Sequence, residues 1–152
     1  MSDKIKQYAI SLENDIFINI RKVARAITNF YDKKLFMSEI SSTQFIALLK
    51  ISCLENKSLS NIARNLSVDR TTLLRNLTLL QKKELLKIKN LSDKRAKTCF
   101  LTEKGAEAIE KGIIIFEKSK KEVEDILGVK KCELLSNDLK FIETTIKDLI
   151  NY

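Results

Sequence analysis

The chain has 152 residues, of which 44% are hydrophobic and 32% are charged, and its formal net charge is +8. This composition is typical of one globular domain, or of two small intertwined ones, and excludes a disordered chain. The sequence contains three glycines and no proline, whereas a β-sandwich or barrel needs many turn residues, so we expect a mainly helical fold. No apolar run approaches the length of a membrane span, and we therefore expect a cytoplasmic protein without a membrane partner.

The residues that usually build metal and catalytic sites are scarce in this chain. It has no histidine, and its three cysteines, Cys53, Cys99 and Cys132, are far apart. A zinc site made of Cys and His ligands is therefore not expected. No glycine-rich phosphate loop or nucleophile elbow occurs either. We expect neither an enzyme nor a bound metal or cofactor, and we expect the three thiols to be buried structural groups.

The first predicted element is a long helix from about residue 10 to residue 35. Its apolar residues recur at steps of four, three, four and three, which is the period of a helix with one apolar face. These residues are Ile16, Ile20, Val23, Ile27 and Phe30.

Three shorter helices are predicted next, over residues 43–54, 59–66 and 70–83. Each has a short polar residue at or before its start, where such side chains accept hydrogen bonds from unpaired backbone N–H groups. The predicted caps are Thr43, Ser58 and Asp69. The third helix has a regular apolar stripe, predicted to be buried, that consists of Leu73, Leu77 and Leu80.

The period then changes from that of a helix to that of a strand. Apolar and polar residues alternate over residues 86–89 and again over residues 98–101. The polar residues 90–97 between them include three cations, and the pattern predicts a long hairpin with a basic tip.

Two further helices are predicted, from residue 102 to 127 and from about residue 130 to 151, with Gly128 as a left-handed cap between them. The apolar stripe of the second comprises Leu135, Leu139, Ile142, Ile146 and Leu149. Any one of these stripes fits the core of a single protomer. The three long terminal helices together offer more apolar surface than such a core needs, and they suit a helical dimer interface. We therefore expect an intertwined homodimer.

The positive charge is concentrated in one segment. Residues 57–104 contain 12 Lys/Arg and 4 Asp/Glu, a balance of +8, while the other 104 residues contain 16 of each sign. A basic module of this kind is typical of nucleic-acid binding, because each neutralised phosphate releases a counterion. Basic segments also bind membrane surfaces and acidic partners, so the residue pattern within the segment is needed to distinguish these functions.

The predicted elements of this segment have the order of a winged helix-turn-helix: a helix, a short turn, a second helix and a charged hairpin. In such proteins the second helix enters the major groove. The polar residues at the start of that helix are expected to contact DNA, and they are Arg70, Thr71, Thr72 and Arg75. Lys94, Arg95 and Lys97 are expected to reach a minor groove, with Arg95 inserted and Asp93 orienting it. The alternative for both groups is an ordinary solvated turn.

The stretch Asp93-Lys-Arg95, followed after five residues by Leu101-Thr102-Glu-Lys-Gly105, resembles the wing signature of MarR-type transcriptional regulators. Upstream, Ile62-Ala63 and residues 68–73 are similar to the turn and recognition helix of that family. The resemblance implies a homodimeric regulator of palindromic promoter sites, often a repressor released by a small ligand. It also implies DNA contact for Thr71, Thr72, Arg75 and Arg95.

Three positions depart from this family. Glu84 stands where glycine is common after the recognition helix, and a positive φ there would cost about 1 kcal/mol. Leu74 stands where a small polar residue is common, so base contact at that position is in doubt. Phe17 occupies the place of the reactive cysteine of a peroxide-sensing branch, so that mechanism is not supported.

The sequence thus predicts a mainly α fold with a small β-hairpin wing, in a single MarR-like domain over residues 1–152. Residues 42–104 would form the winged helix-turn-helix DNA-binding lobe, and residues 8–36 and 102–152 the helical dimerisation region. The expected function is that of a homodimeric regulator, a repressor modulated by a small-molecule effector, bound to a palindromic operator in double-stranded DNA. Two alternatives remain: a nonspecific architectural DNA-binding protein, and a helical interaction protein that binds an acidic partner.

Overall fold

A computed structural model of the chain describes residues 3–54, 58–90 and 97–150. Over these residues the helices are α1 (Asp3–Ser11), α2 (Ile16–Leu35), α3 (Ser42–Cys53), α4 (Leu59–Asn65), α5 (Arg70–Lys82), α6 (Glu103–Leu127) and α7 (Val129–Ile150). The strands are β1 (Leu86–Asn90) and β2 (Lys97–Leu101). The predicted mainly α fold with one β-hairpin is confirmed. The chain divides into two compact units between Ile114 and Ile115, within α6.

The N-terminal helix is interrupted, so the prediction of one helix over residues 10–35 is wrong. A turn of 3₁₀-helix, Leu12–Asn14, follows α1, and Asp15 is then extended, with φ −69° and ψ 134°. The Asp15 carboxylate accepts hydrogen bonds from the N–H groups of Phe17 and Ile18, at 2.8 and 3.3 Å. An aspartate in this conformation starts a new helix. The apolar periodicity of the sequence did not indicate this break.

The caps of the next three helices follow the prediction in two cases of three. Ser41, and not Thr43, caps α3: its hydroxyl accepts from the Gln44 N–H, and the Gln44 side chain accepts from the Ser41 N–H, both at 3.2 Å. This reciprocal pair is a capping box, which moves the start of α3 one residue earlier. Ser58 and Asp69 cap α4 and α5 as predicted.

The core of the first unit lies between α3, α4, α5 and the hairpin. Residues without exposed surface include Leu48, Ile51, Ile62, Leu73, Leu77 and Leu80, so the predicted stripe of α5 is confirmed. In the antiparallel hairpin, Leu86 pairs with Leu101 and Ile88 with Cys99. Because side chains alternate along a strand, Leu86 and Cys99 are buried while Phe100 is exposed.

The three thiols have different environments. Cys99 is buried, as predicted, and Cys132 is half-buried. Cys53 is exposed at the last residue of α3, so the expectation of a buried thiol is wrong there. The apolar stripe of α3 ends before this position, and the side chain therefore lies at the edge of the core.

In the second unit, α6 continues from residue 115 and ends before Gly128, whose φ of 84° confirms the predicted left-handed cap. Among the described residues α7 has no buried side chain. None of the helices in the described ranges is both long and apolar enough to cross a bilayer.

Gly112 of α6 is packed against the ring of Phe45 in α3. A Cβ at Gly112 would lie 2.5 Å from Phe45 Cδ2 and 2.6 Å from Cε2. Real Cβ atoms do not approach a ring this closely, and the Phe45 ring is itself buried. The absence of a side chain at residue 112 therefore allows this part of α6 to pack closely against α3.

We expect Gly112→Ala to lower the free energy of unfolding by about 1–3 kcal/mol, because the added methyl group overlaps the Phe45 ring. At an unobstructed helical position the same change would stabilise the protein by about 1 kcal/mol. Urea unfolding followed by circular dichroism, at a fixed protein concentration, measures the change. Lys111→Ala, at the exposed neighbouring residue, is the control. A gain in stability for Gly112→Ala would contradict this packing.

Candidate nucleic-acid interface

A tight turn joins α4 to α5 and fixes the orientation of α5. Ser67 is left-handed, with φ 51°, and its N–H donates to the carbonyl of Arg64 at 3.2 Å. The Val68 N–H donates to the carbonyl of Ala63 at 3.1 Å. These bonds satisfy the last carbonyl groups of α4 and reverse the chain before Asp69 starts α5. The helix, turn and helix predicted from the sequence are therefore present.

The buried stripe of α5 leaves its opposite face to solvent. Four side chains predicted to contact DNA are exposed at its start: Arg70, Thr71, Thr72 and Arg75. Within the described ranges, no hydrogen bond or ion pair holds the side chains of Arg70, Thr71 or Arg75. All four residues are therefore exposed in the first two turns of α5, near the positive end of its dipole. Leu74 is half-buried, so its side chain contributes to packing.

Thr72 differs from the other three because its hydroxyl already has a partner. Its Oγ1 donates to Asp69 Oδ2 at 2.6 Å, and its backbone N–H donates to Asp69 Oδ1 at 2.9 Å. These hydrogen bonds, that from the Thr72 hydroxyl first, lower the pKa of Asp69 below its ordinary value. Sequence reasoning identified Asp69 as a cap but missed its bond to the Thr72 side chain, which the spacing of three residues could have indicated.

The predicted residues of the hairpin tip are placed differently. Asp93, Lys94 and Arg95 lie outside the described residues. The backbone of Lys97 forms part of β2, and its side chain is outside the description as well. The four assignments made for the tip therefore stay predictions.

The strands of the hairpin carry two further cations that the sequence analysis did not select. Lys87 and Lys89 are exposed and alternate with Leu86 and Ile88, so they share the outer face of β1. The Lys89 Nζ lies 5.3 Å from the centroid of the Phe100 ring on the paired strand. The alternation from which we predicted the strand already placed both lysines on this face.

The base of the hairpin is held by Thr102. Its Oγ1 donates to the carbonyl of Glu84 at 2.7 Å and accepts from the Gly105 N–H at 3.0 Å, so it caps α6 while holding the turn after α5. Glu84 has φ 61°, which confirms that this position uses the conformation where glycine is common. A Cβ at Gly105 would lie 2.0 Å from the carbonyl oxygen of Leu85. The Leu-Thr-Glu-Lys-Gly signature thus has a physical basis.

Lys83, the C-cap residue that follows α5, links this helix to the corner between α2 and α3. Its Nζ donates to the carbonyl oxygen of Glu39 and, at 3.4 Å, to Gln44 Oε1. At the same corner, Asp32 Oδ1 accepts from both the N–H and the hydroxyl of Ser42 at 2.6 Å. Hydrogen bonds thus connect α2 to α3 and α3 to the end of α5. Over the described ranges, no three His, Cys, Asp or Glu residues are grouped to hold a metal ion.

We expect Thr102→Val to lower the free energy of unfolding by about 1–2 kcal/mol, because the valine can neither cap α6 nor hold the Glu84 carbonyl. Thr78→Val is the matched control, since the Thr78 hydroxyl only donates to the carbonyl of Leu74 within its own exposed helix turn. That change is expected to stay within about 0.5 kcal/mol. Urea unfolding of both variants measures the difference. Equal stabilities of the two variants would contradict the role of Thr102.

No family model and no curated protein sequence matches the chain. Solved structures do match it. The regulator MosR of M. tuberculosis, in complex with DNA, is 28% identical, with a TM-score of 0.81 over 88% of this chain and 97% of that one. MepR of S. aureus, also in complex with DNA, is 20% identical, with a TM-score of 0.74 over 86% and 97% of the two chains. MarR of E. coli is 24% identical, with a TM-score of 0.65 over 84% and 95%.

Each of these matches includes more than four fifths of both chains. MarR-family proteins are transcriptional regulators and not enzymes, in agreement with the class predicted from the sequence. The exposed start of α5, the hairpin and this structural match together show that the chain has a winged helix-turn-helix fold similar to that of MarR-family transcriptional regulators.

Proposed function

We propose that the protein is a homodimeric, sequence-specific repressor that binds a palindromic operator. The observation that carries the proposal is the exposed polar start of α5 in the segment that holds the whole net charge of the chain. The DNA complexes of MosR and MepR, which share the fold, support it. The residues assigned to the major groove are Arg70, Thr71, Thr72 and Arg75. Lys94, Arg95 and Lys97 are assigned to the minor groove, and Asp93 to the orientation of Arg95.

In this proposal, two parts of the chain have different roles. Residues 42–104 form the DNA-binding lobe, and residues 8–36 and 102–152 form the dimerisation region of a single domain. A regulator of this kind acts where its operator is, in the cytoplasm.

Two substitutions test DNA binding. We expect Arg75→Ala and Arg95→Ala each to weaken binding to the DNA upstream of the protein's own gene by about 5-fold to 150-fold, because each removes a charged groove contact. Fluorescence anisotropy at several salt concentrations measures the affinity against that duplex and a scrambled one. Lys118→Ala, at an exposed residue of α6 outside the lobe, is the control.

The outcomes separate the three function classes. Binding to the upstream duplex at least about a thousandfold tighter than to the scrambled duplex supports the regulator. Equal affinities with a steep salt dependence would instead support a nonspecific architectural protein. Failure to bind any duplex at moderate salt would favour an acidic protein partner.

Homodimerisation is supported by large apolar side chains that a single protomer leaves exposed. On α2 the exposed fraction is 62% for Ile16 and 54% for Val23, and on α7 it is 49% for Leu139 and 68% for Leu149. Each pair belongs to a stripe with helical spacing. Exposed apolar stripes of this kind favour an interface between proteins. A second copy of the chain is the partner we propose, because a palindrome presents two identical half-sites to two identical lobes.

We expect Leu139→Glu to convert the dimer to a monomer, because a carboxylate would be buried against an apolar surface. It should also weaken binding to the palindrome, which needs two lobes. Asn137→Glu is the matched control, since residue 137 is two positions from Leu135 and Leu139 and faces the other side of α7. Sedimentation equilibrium measures the mass, and circular dichroism verifies that both variants are helical. A monomeric unaltered protein would contradict the dimer.

A small-molecule effector belongs to the same proposal. An open cleft of about 640 Å³ lies beside the Lys83 hydrogen bonds, with Asp32, Phe36, Ile40 and Gln44 in its walls. A compound bound there would compete for the Lys83 ammonium and loosen the connection between α3 and the end of α5. This cleft is therefore the place we propose for an effector to act on DNA binding.

A further inference from the structure

The hydrogen bond between Thr72 and Asp69 fixes which chemical group Thr72 can offer to a ligand. A threonine hydroxyl has one proton to donate and two lone pairs that accept. Thr72 Oγ1 lies 2.6 Å from Asp69 Oδ2, a distance typical of a hydroxyl that donates to a carboxylate. Both residues are exposed, so the remaining lone pairs of Oγ1 are accessible.

The direction of this bond is set by the charge of Asp69. An ionised carboxylate has no proton and can only accept, so the proton in the bond is that of Thr72. The lowered pKa of Asp69 keeps the carboxylate ionised at neutral pH. The second oxygen of Asp69 accepts the Thr72 backbone N–H at 2.9 Å, which holds the carboxylate in place as the cap of α5.

The direction of this hydrogen bond distinguishes Thr72 from an ordinary phosphate-binding threonine. Phosphate oxygens are acceptors, and a hydroxyl can bind them only by donating its proton. The Thr72 proton is committed to Asp69, and the negative charge of Asp69 repels phosphate. The neighbouring Thr71 hydroxyl has no hydrogen bond within the described ranges, so its proton remains available for a phosphate. The two adjacent threonines are therefore expected to do different things.

We propose that Thr72 is a specificity-determining residue that accepts a hydrogen bond from an exocyclic amino group in the major groove. Adenine presents N6–H₂ and cytosine presents N4–H₂ in this groove, whereas guanine O6 and thymine O4 accept. At one position of each half-site, on the strand that Thr72 faces, the protein then selects adenine or cytosine over guanine or thymine. This inference rests on the proposed function, because it assumes that α5 enters the major groove.

Asp69→Asn directly tests the direction of the hydrogen bond between residues 69 and 72. Asparagine caps helices as well as aspartate does, and its carbonyl oxygen can still accept the Thr72 N–H. Its amide nitrogen then replaces the second oxygen and donates to Thr72 Oγ1. The hydroxyl proton is released and can donate outward. We expect the preference at this position to shift from adenine or cytosine towards guanine or thymine.

The experiment selects duplexes from a pool with about 24 randomised base pairs, enough for two half-sites one helical turn apart. Selections are run with the unaltered protein, Asp69→Asn, Thr72→Val and, as the matched control, Thr71→Val. Fluorescence anisotropy then measures each protein on the selected duplex and on duplexes changed at the position concerned. Circular dichroism verifies that the variants remain helical.

For the unaltered protein we expect affinity to fall by roughly threefold to tenfold when the amino base is replaced by a keto base, the effect of about one hydrogen bond. Thr72→Val should remove this discrimination. Thr71→Val should lower affinity for all sequences alike and leave the preference unchanged.

Each outcome has one reading. If the unaltered protein selects a defined sequence, and Asp69→Asn and Thr72→Val select it with the same preference at every position, Thr72 does not determine specificity and the inference is wrong. A preference for guanine or thymine at the position affected by Thr72→Val would also overturn it. Binding without any sequence preference by the unaltered protein would contradict the proposed function itself.

Discussion

The burial of one face of α5 is the constraint on which the rest of this structure depends. Leu73, Leu77 and Leu80 have no exposed surface, so the helix cannot rotate about its axis without exposing them to water. The polar residues at its start are thereby directed outward at a fixed angle. The base recognition proposed for these residues needs this rigidity, because a hydrogen bond weakens steeply when its donor or acceptor is misplaced. The exposed surface is therefore determined by what lies beneath it.

The two ends of α5 are held by different interactions. At the start, Asp69 binds the backbone and the hydroxyl of Thr72, so one carboxylate both stabilises the helix and polarises a side chain. At the other end, Lys83 reaches the corner between α2 and α3, and Thr102 holds the Glu84 carbonyl. Movement of α2 or of the base of the hairpin would consequently be transmitted to α5 through hydrogen bonds.

Apolar surface has two roles in this chain, and burial distinguishes them. The stripe of α5 is buried in the core of the first unit, whereas most residues of the α2 and α7 stripes keep more than a third of their surface exposed. All three apolar stripes have the same helical period in the sequence. Exposed apolar stripes lower the solubility of a protein unless another chain covers them. The homodimer proposed above would cover these exposed stripes.

The sequence by itself determined the mainly helical fold, the hairpin, the concentration of charge and the left-handed conformation at Gly128, while the left-handed conformation at Glu84 was suggested by a family resemblance. These depend on local periodicity and on the backbone preferences of single residues, which are visible along the chain. It did not show the break at Asp15 or the true cap of α3, because apolar periodicity does not register a polar residue that competes for backbone N–H groups. Only the tertiary structure decided that Gly112 must accommodate the Phe45 ring, that Cys53 is exposed and that Lys83 bridges two elements. These facts depend on distances between residues far apart in the chain, and such distances are set when the elements pack.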